Sequence, residues 1–166
     1  MNTTLAELGY PGTTVNTKLV GDRTFPTSNR GSAPNTMTAN EVTEMMRQIY
    51  TFTHAGDEEI LDALVGQYDW DFGYRAVKQL KSERVAWIGE KTGQNSKVIG
   101  SSVAVKIDDQ RYVMTVTIDH SANQQRLRQV IQGVIRYILD DGHFTAPQWQ
   151  DEEQKPYEFT TSRSPA

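Results

Sequence analysis

"VAWIGEKTGQNSKVIGSSVAVKIDDQRYVMTVTID", residues 85–119, decides the fold. Its apolar residues recur at every second position, the period of strands with one face turned to a core. Val103, Val105 and Ile107 alternate with Ser102, Ala104 and Lys106. Beyond Asp108-Asp109-Gln110, the residues Tyr112, Met114, Val116 and Ile118 alternate with Val113, Thr115 and Thr117. A turn this short makes the two runs antiparallel neighbours. A third run, from Val85, leads into Lys91-Thr92-Gly93 and a loop before Ser101. The spacing predicts a three-strand antiparallel meander at 84–90, 101–107 and 111–119.

Working outward, the period changes to that of a helix. Leu127, Val130, Ile131, Val134, Ile135, Ile138 and Leu139 fall three and four apart. Ser121 with Gln124 reads as a capping box, and Gly142 as the stop. Leu127, Val130, Val134 and Ile138 are expected against Val103, Val105, Tyr112, Met114 and Val116, packing this long helix on the meander. Upstream, Thr38 with Glu41 caps a helix to about Tyr50 whose apolar face is Val42, Met45, Met46, Ile49 and Tyr50. Helices follow at roughly Asp57–Val65 (face Ile60, Leu61, Leu64, Val65) and Phe72–Leu80, and a short one opens the chain at Thr3–Leu8. "GTTVNTKLVGDRTFPTSNRGSAPN" between them reads as a long ordered loop. The fold class is α+β. Residues 1–142 form the domain, and 143–166, without period, read as a flexible tail.

With 166 residues the chain suits one domain with a core. The net charge of −4 and the lack of a basic stripe argue against nucleic acid. Cysteine is absent, and His54, His120 and His143 lack ligand spacing, so neither a metal nor another cofactor is expected. The opening "MNTTLAELGYPG" is no signal peptide, and no apolar run is long enough for a membrane span. The chain as written is expected to be cytoplasmic, or extracytoplasmic if cut from a longer precursor.

The element order, with Lys91-Thr92-Gly93 on a strand before a meander and a long helix, resembles the C-terminal half of the serine β-lactamase and penicillin-binding-protein family. The likeness covers roughly residues 5–142. It implies a partial β-lactamase/transpeptidase-like fold, with Lys-Thr-Gly ending the family's third strand beside an active site. "NTMTANEVTEMMRQIY" resembles the helix after the family's Ω-shaped loop. The resemblance makes Lys91 and Thr92 a carboxylate site and the N–H of Gln94, just after Gly93, part of an oxyanion hole. The same residues can also be read as an ordinary solvated strand end.

The family's acyl transfer needs Ser-x-x-Lys, a nucleophile with its base one helical turn on. None of the chain's serines, from Ser28 to Ser164, has a lysine three positions later. Ser121-Ala122-Asn123 is the single Ser-x-Asn, and capping accounts for it. Where lactamases carry an Ω-loop Glu before Pro, Phe25 precedes Pro26, and Asp22 is the nearest carboxylate. Two classes of function stand. The chain is a non-catalytic binding or structural subunit, or it is part of a serine hydrolase whose nucleophile lies outside it. Trp70, Tyr68 and Phe72 read as packing of the helical region or as an aromatic rim. Because the resembled fold has five strands, the 111–119 strand is expected to lack its neighbours. It is apolar, with charges only at Arg111 and Asp119, and is expected to pair with another protein chain, the tail docking on a neighbour.

Overall fold

The computed structural model describes residues 1–20, 23–26, 34–67, 69–95, 97–119 and 123–143. Asp22, Tyr68, Ser121 and the tail from 144 lie outside the described residues. The chain divides into two compact units, Met1–Asp62 and Ala63–Ala166.

The first unit opens with α1 (Asn2–Glu7). The stretch expected as a loop contains a two-stranded antiparallel ribbon, β1 (Thr17–Val20) and β2 (Arg23–Pro26), with Thr17 opposite Pro26 and Val20 opposite Arg23. At the neck, Asn35 Oδ1 accepts the N–H groups of Asn16 and Thr17 at 2.7 and 2.8 Å, and Asn16 Nδ2 donates to Pro34 O at 2.8 Å. Side-chain amides thus serve backbone groups that a strand ladder would otherwise satisfy. Then comes α2 (Ala39–Tyr50), capped by Thr38, whose Oγ1 accepts the Glu41 N–H at 3.2 Å. The expected box is half made. The Glu41 carboxylate accepts from Gly12 N–H (2.8 Å) and Thr13 Oγ1 (2.7 Å) instead, tying the helix to the neck. The Thr13 hydroxyl holds the Glu41 carboxyl below its ordinary value, with the Gly12 N–H adding to the effect. Met46 and Tyr50 are the buried part of the α2 face. In α3 (Asp57–Val65) Leu64 is buried while Ile60 and Val65 are exposed, so the four-residue face expected there is narrower.

The second unit holds α4 (Gly73–Leu80), β3 (Val85–Gln94), β4 (Val98–Ile107), β5 (Gln110–Asp119) and α5 (Gln124–Leu139). The sheet is the expected antiparallel meander in the order β3-β4-β5. Its first hairpin is longer than the sequence suggested: β3 runs four residues past Glu90, so Lys91-Thr92-Gly93 lies within the ladder. Asp108, with φ +51°, makes the turn from β4 to β5. α4 and α5 cover one face. Phe72, Ala76 and Val77 meet Val85, Ile99, Val103, Val105 and Ile107 of the sheet and Leu127, Ile131 and Ile135 of α5. On β5, Tyr112, Met114, Val116 and Ile118 take the same side, as expected.

Two details of α5 differ from expectation. Asn123 caps it, its side chain accepting the Arg126 N–H at 2.9 Å, which starts the helix two residues after the predicted cap. Its buried ridge runs Leu127-Ile131-Ile135, four apart, leaving Val134 36% exposed. A straight helix repeats every 3.6 residues, so spacings of four keep a short ridge on the core while Val134 falls to its flank. At the end, Gly142 (φ +86°) donates its N–H to Tyr137 O at 2.8 Å, the Schellman closure its position suggested.

Candidate functional site

One extra residue in β3 decides which way the site points. Val85 and Trp87 lie opposite Ile107 and Val105, on the helix-covered face. The register then shifts between Trp87 and Gly89, so Glu90, opposite Val103, lies on that same face where unbroken alternation would have put Gly89. Gly89, at φ +150°, supplies the backbone shape such a bulge needs. Without it Lys91 would alternate into the core and Glu90 away from it. With it, Lys91 and Gly93 take the uncovered side and Glu90, Thr92 and Gln94 the side of the helices.

The ladder also fixes where the backbone of this segment points. Asn95 N–H bonds Val98 O at 2.9 Å. Bonded pairs recur at every second residue of an antiparallel ladder. Lys91 and Gly93 are therefore bonded to Ser102 and Gly100, while Thr92 and Gln94 turn N–H and C=O away from β4. Among the described residues β3 is an outer strand, so these groups line an open edge. Lys91 Nζ bends round to that edge and donates to Thr92 O at 2.5 Å. Among the described residues it has no carboxylate partner. A Cβ placed on Gly93 would meet nothing within 4 Å, so the approach is unobstructed there by the protein.

The four residues singled out from the sequence are thus partly assembled. The Lys91 ammonium and the Gln94 N–H share one edge. Thr92 contributes its carbonyl to that edge, while its half-buried side chain alternates to the helix side. The Gln94 side chain is engaged, accepting weakly from Gln124 Nε2 at 3.4 Å. The ammonium and the outward N–H three residues on are both hydrogen-bond donors.

Glu90, which sequence reasoning passed over, anchors this segment from behind. Its carboxylate is fully buried. Oε2 accepts from Gly73 N–H (2.7 Å) and Ser101 Oγ (2.8 Å), and Oε1 from Gln67 Nε2 (2.7 Å) and Tyr74 N–H (3.1 Å). Gly73 and Tyr74 open α4, where two orphan N–H groups and the positive end of the helix dipole suit an anion. Among the described residues no cation is its partner. Burial pushes the Glu90 carboxyl above its ordinary value, and the four donors, Ser101 first, hold it back. The signal in the sequence was an acid in an otherwise apolar strand beside a glycine able to shift the register.

Phe72 is in the core, and Trp70, Tyr74 and Trp87 contact one another with centroids 4.9–5.5 Å apart. Trp70 remains 44% exposed at the rim of that group. Among the described residues no cluster of His, Asp or Glu suits a metal ion, and no helix is long and apolar enough to cross a membrane.

The sequence profile of the β-lactamase enzyme family matches residues 1–141. Among solved structures the fold is similar to PBP-A, with TM-score 0.64 and 19% identity over 84% of this chain and 50% of that one. It is equally similar to a β-lactamase from Sphaerobacter thermophilus DSM 20745, with TM-score 0.64 and 19% identity over 88% and 54% of the two chains. A β-lactamase from Burkholderia vietnamiensis gives TM-score 0.61 and 14% identity over 85% and 53%. A PBP-A mutant has been solved as an acyl-enzyme complex with penicillin G. The chain spans about half the length of each of these structures. No curated protein matches the sequence.

Proposed function

The chain belongs to the β-lactamase enzyme family, and from that premise we propose that this polypeptide is a non-catalytic binding subunit, holding a carboxylate-bearing ligand on the open β3 edge without acyl transfer. One observation carries the reading. The ammonium of Lys91 and the outward N–H of Gln94 share an edge, while no serine in the 166 residues has a lysine one helical turn on. Binding a carboxylate needs only the first pair. Acyl transfer needs a nucleophile, a base that takes its proton, and donors aimed at the oxyanion. Of these the chain supplies a candidate donor alone. Hydrolysis would need a further group to activate water, and Phe25, not a Glu, precedes Pro26 in the stretch that resembles the family's Ω-shaped loop.

The half-length match to the solved structures favours one second reading. Here the same edge is the substrate-binding half of a serine hydrolase completed by residues outside this chain. Fluorescence anisotropy with a labelled penicillin, together with cephalosporin turnover, tests the first reading. The first reading expects saturable, reversible binding that Lys91→Ala weakens about tenfold, the loss of one charge-assisted contact, with no turnover. Turnover by the chain alone would overturn it. Absence of binding in the wild type would remove the ligand site from both.

A further inference from the structure

Resting on the ligand reading above, we infer that Glu90 is a positioning residue for Lys91: its carboxylate pins β3 to the first turn of α4 and so sets where the ammonium meets a ligand.

The place of Glu90 in the ladder calls for such a pin. Asn95 N–H bonds Val98 O, so beyond the bulge the odd residues of β3 bond β4 and the even ones turn N–H and C=O outward. Glu90 is one of the even residues, and it follows directly on Gly89, where the register shifts. A bulge leaves its ladder locally disrupted. The backbone of Glu90 thus makes no bond to β4, and its side chain fixes the residue instead. Four donors converge on that side chain. Gly73 and Tyr74 N–H come from the start of α4, Ser101 Oγ from β4, and Gln67 Nε2 from the segment before α4. Ser101 lies opposite Thr92 in the ladder. The carboxylate therefore ties α4 to the strand pair on either side of Lys91.

An amide cannot replace this carboxylate. An ionised carboxylate only accepts, and its two oxygens have room for all four bonds. Each oxygen takes one backbone N–H, Oε2 from Gly73 at 2.7 Å and Oε1 from Tyr74 at 3.1 Å. These donors belong to consecutive residues of a helix's first turn and cannot swing aside. In Glu90→Gln, whichever way the amide sits, its NH2 faces one of them, donor against donor. Behind the contact Val103 is fully buried, so there is no slack on the sheet side. The strand must then back away from α4, and Lys91, the next residue, moves with it. The action runs through the backbone and not through charge, because Glu90 and Lys91 leave the strand on opposite faces. A supporting group behind a binding residue holds that residue in its productive place.

The test is anisotropy with a labelled penicillin on the full chain, at a temperature where the far-UV spectrum shows each variant folded. Glu90→Gln should raise Kd about three- to tenfold, a coupling of ordinary size between neighbouring groups. Ser101→Ala removes one donor and leaves three. It should shift Kd the same way by less, and it carries the test if Glu90→Gln does not fold. In a Lys91→Ala background either change should leave Kd where Lys91→Ala alone puts it, because Glu90 acts through the lysine. A Glu90 that served stability alone would lower the melting temperature and leave the Kd of the folded chain unchanged in both backgrounds. That result in whichever variant folds, or an equal loss with and without Lys91, overturns the inference and leaves the ligand reading standing. A wild type that binds no penicillin overturns both.

Discussion

Gly73→Ala separates the role given to Glu90 from ordinary helix propensity. Gly73 is the first residue of α4, and propensity alone says alanine stabilises there by at most about 0.5–1 kcal/mol. The structure says otherwise. A Cβ at position 73 would run into Glu90 Oε2 and into the Val103 side chain. Val103 is fully buried in the centre of β4 and has nowhere to move. Relief must come from the carboxylate, which loses its 2.7 Å bond to the residue-73 N–H, or from a shift of α4. A bond to a charged group is worth about 1.5–3 kcal/mol, and overpacking costs about 1–3 kcal/mol. The two are alternatives, so after the propensity gain the net loss is about 1–2 kcal/mol. Urea unfolding followed by tryptophan fluorescence reads it, since Trp70 and Trp87 lie in the same unit as α4. Repeating the change in a Glu90→Ala background removes one of the two collisions and should shrink the loss. A Gly73→Ala chain as stable as the wild type, or more stable, would refute the close approach of carboxylate and helix end.

Glu90 also gives a pH dependence of unusual sign. Its carboxyl titrates above the ordinary value of 4.5 when folded, so just above that value the folded chain binds more protons than the unfolded one. Its contribution is therefore complete below 4.5 and is lost as pH rises through the folded value. Wild type minus Glu90→Gln stability should grow on acidification from pH 7 toward 5, read by thermal melts. A flat or opposite trend would contradict the burial argument. Glu44 differs, held by Arg47 to about 2, so its contribution is lost only as pH falls below the ordinary carboxylate range. Gly89→Ala places a side chain at φ +150° and is expected to cost about 1–3 kcal/mol. It should also weaken penicillin binding by turning Lys91, whereas unchanged affinity would show that the bulge does not aim the lysine.

The meander and α5 were legible because each keeps one period over many residues. Met114 and Val116, or Leu127 and Ile131, report their face without knowledge of anything distant. What escaped the sequence were places where one residue or one distant partner changes the answer. The bulge beside Gly89 reverses the parity of β3, and alternation counted from Val85 then puts Glu90 and Lys91 on the wrong faces. Glu41 stands where a capping box wants it, yet Gly12 and Thr13, far along the chain, hold its carboxylate. Ser121 and Asn123 both qualify as caps, and Asn123 makes the bond. β1 and β2 are four residues each, too short for a period to register. Lys91, Thr92, Gly93 and Gln94 were found through a resemblance of motif and order. Which of them share an edge follows from the hydrogen-bond phase of the ladder, which sequence does not print.

The central claim, ligand binding without acyl transfer, is tested most directly by the intact mass of the chain after incubation with excess penicillin and rapid acid quench. The expected result is the unmodified mass at every time point, alongside reversible binding of the same penicillin at equilibrium. A stable increase by the mass of one penicillin, mapped by digestion to a serine, would contradict it and place a nucleophile within these 166 residues.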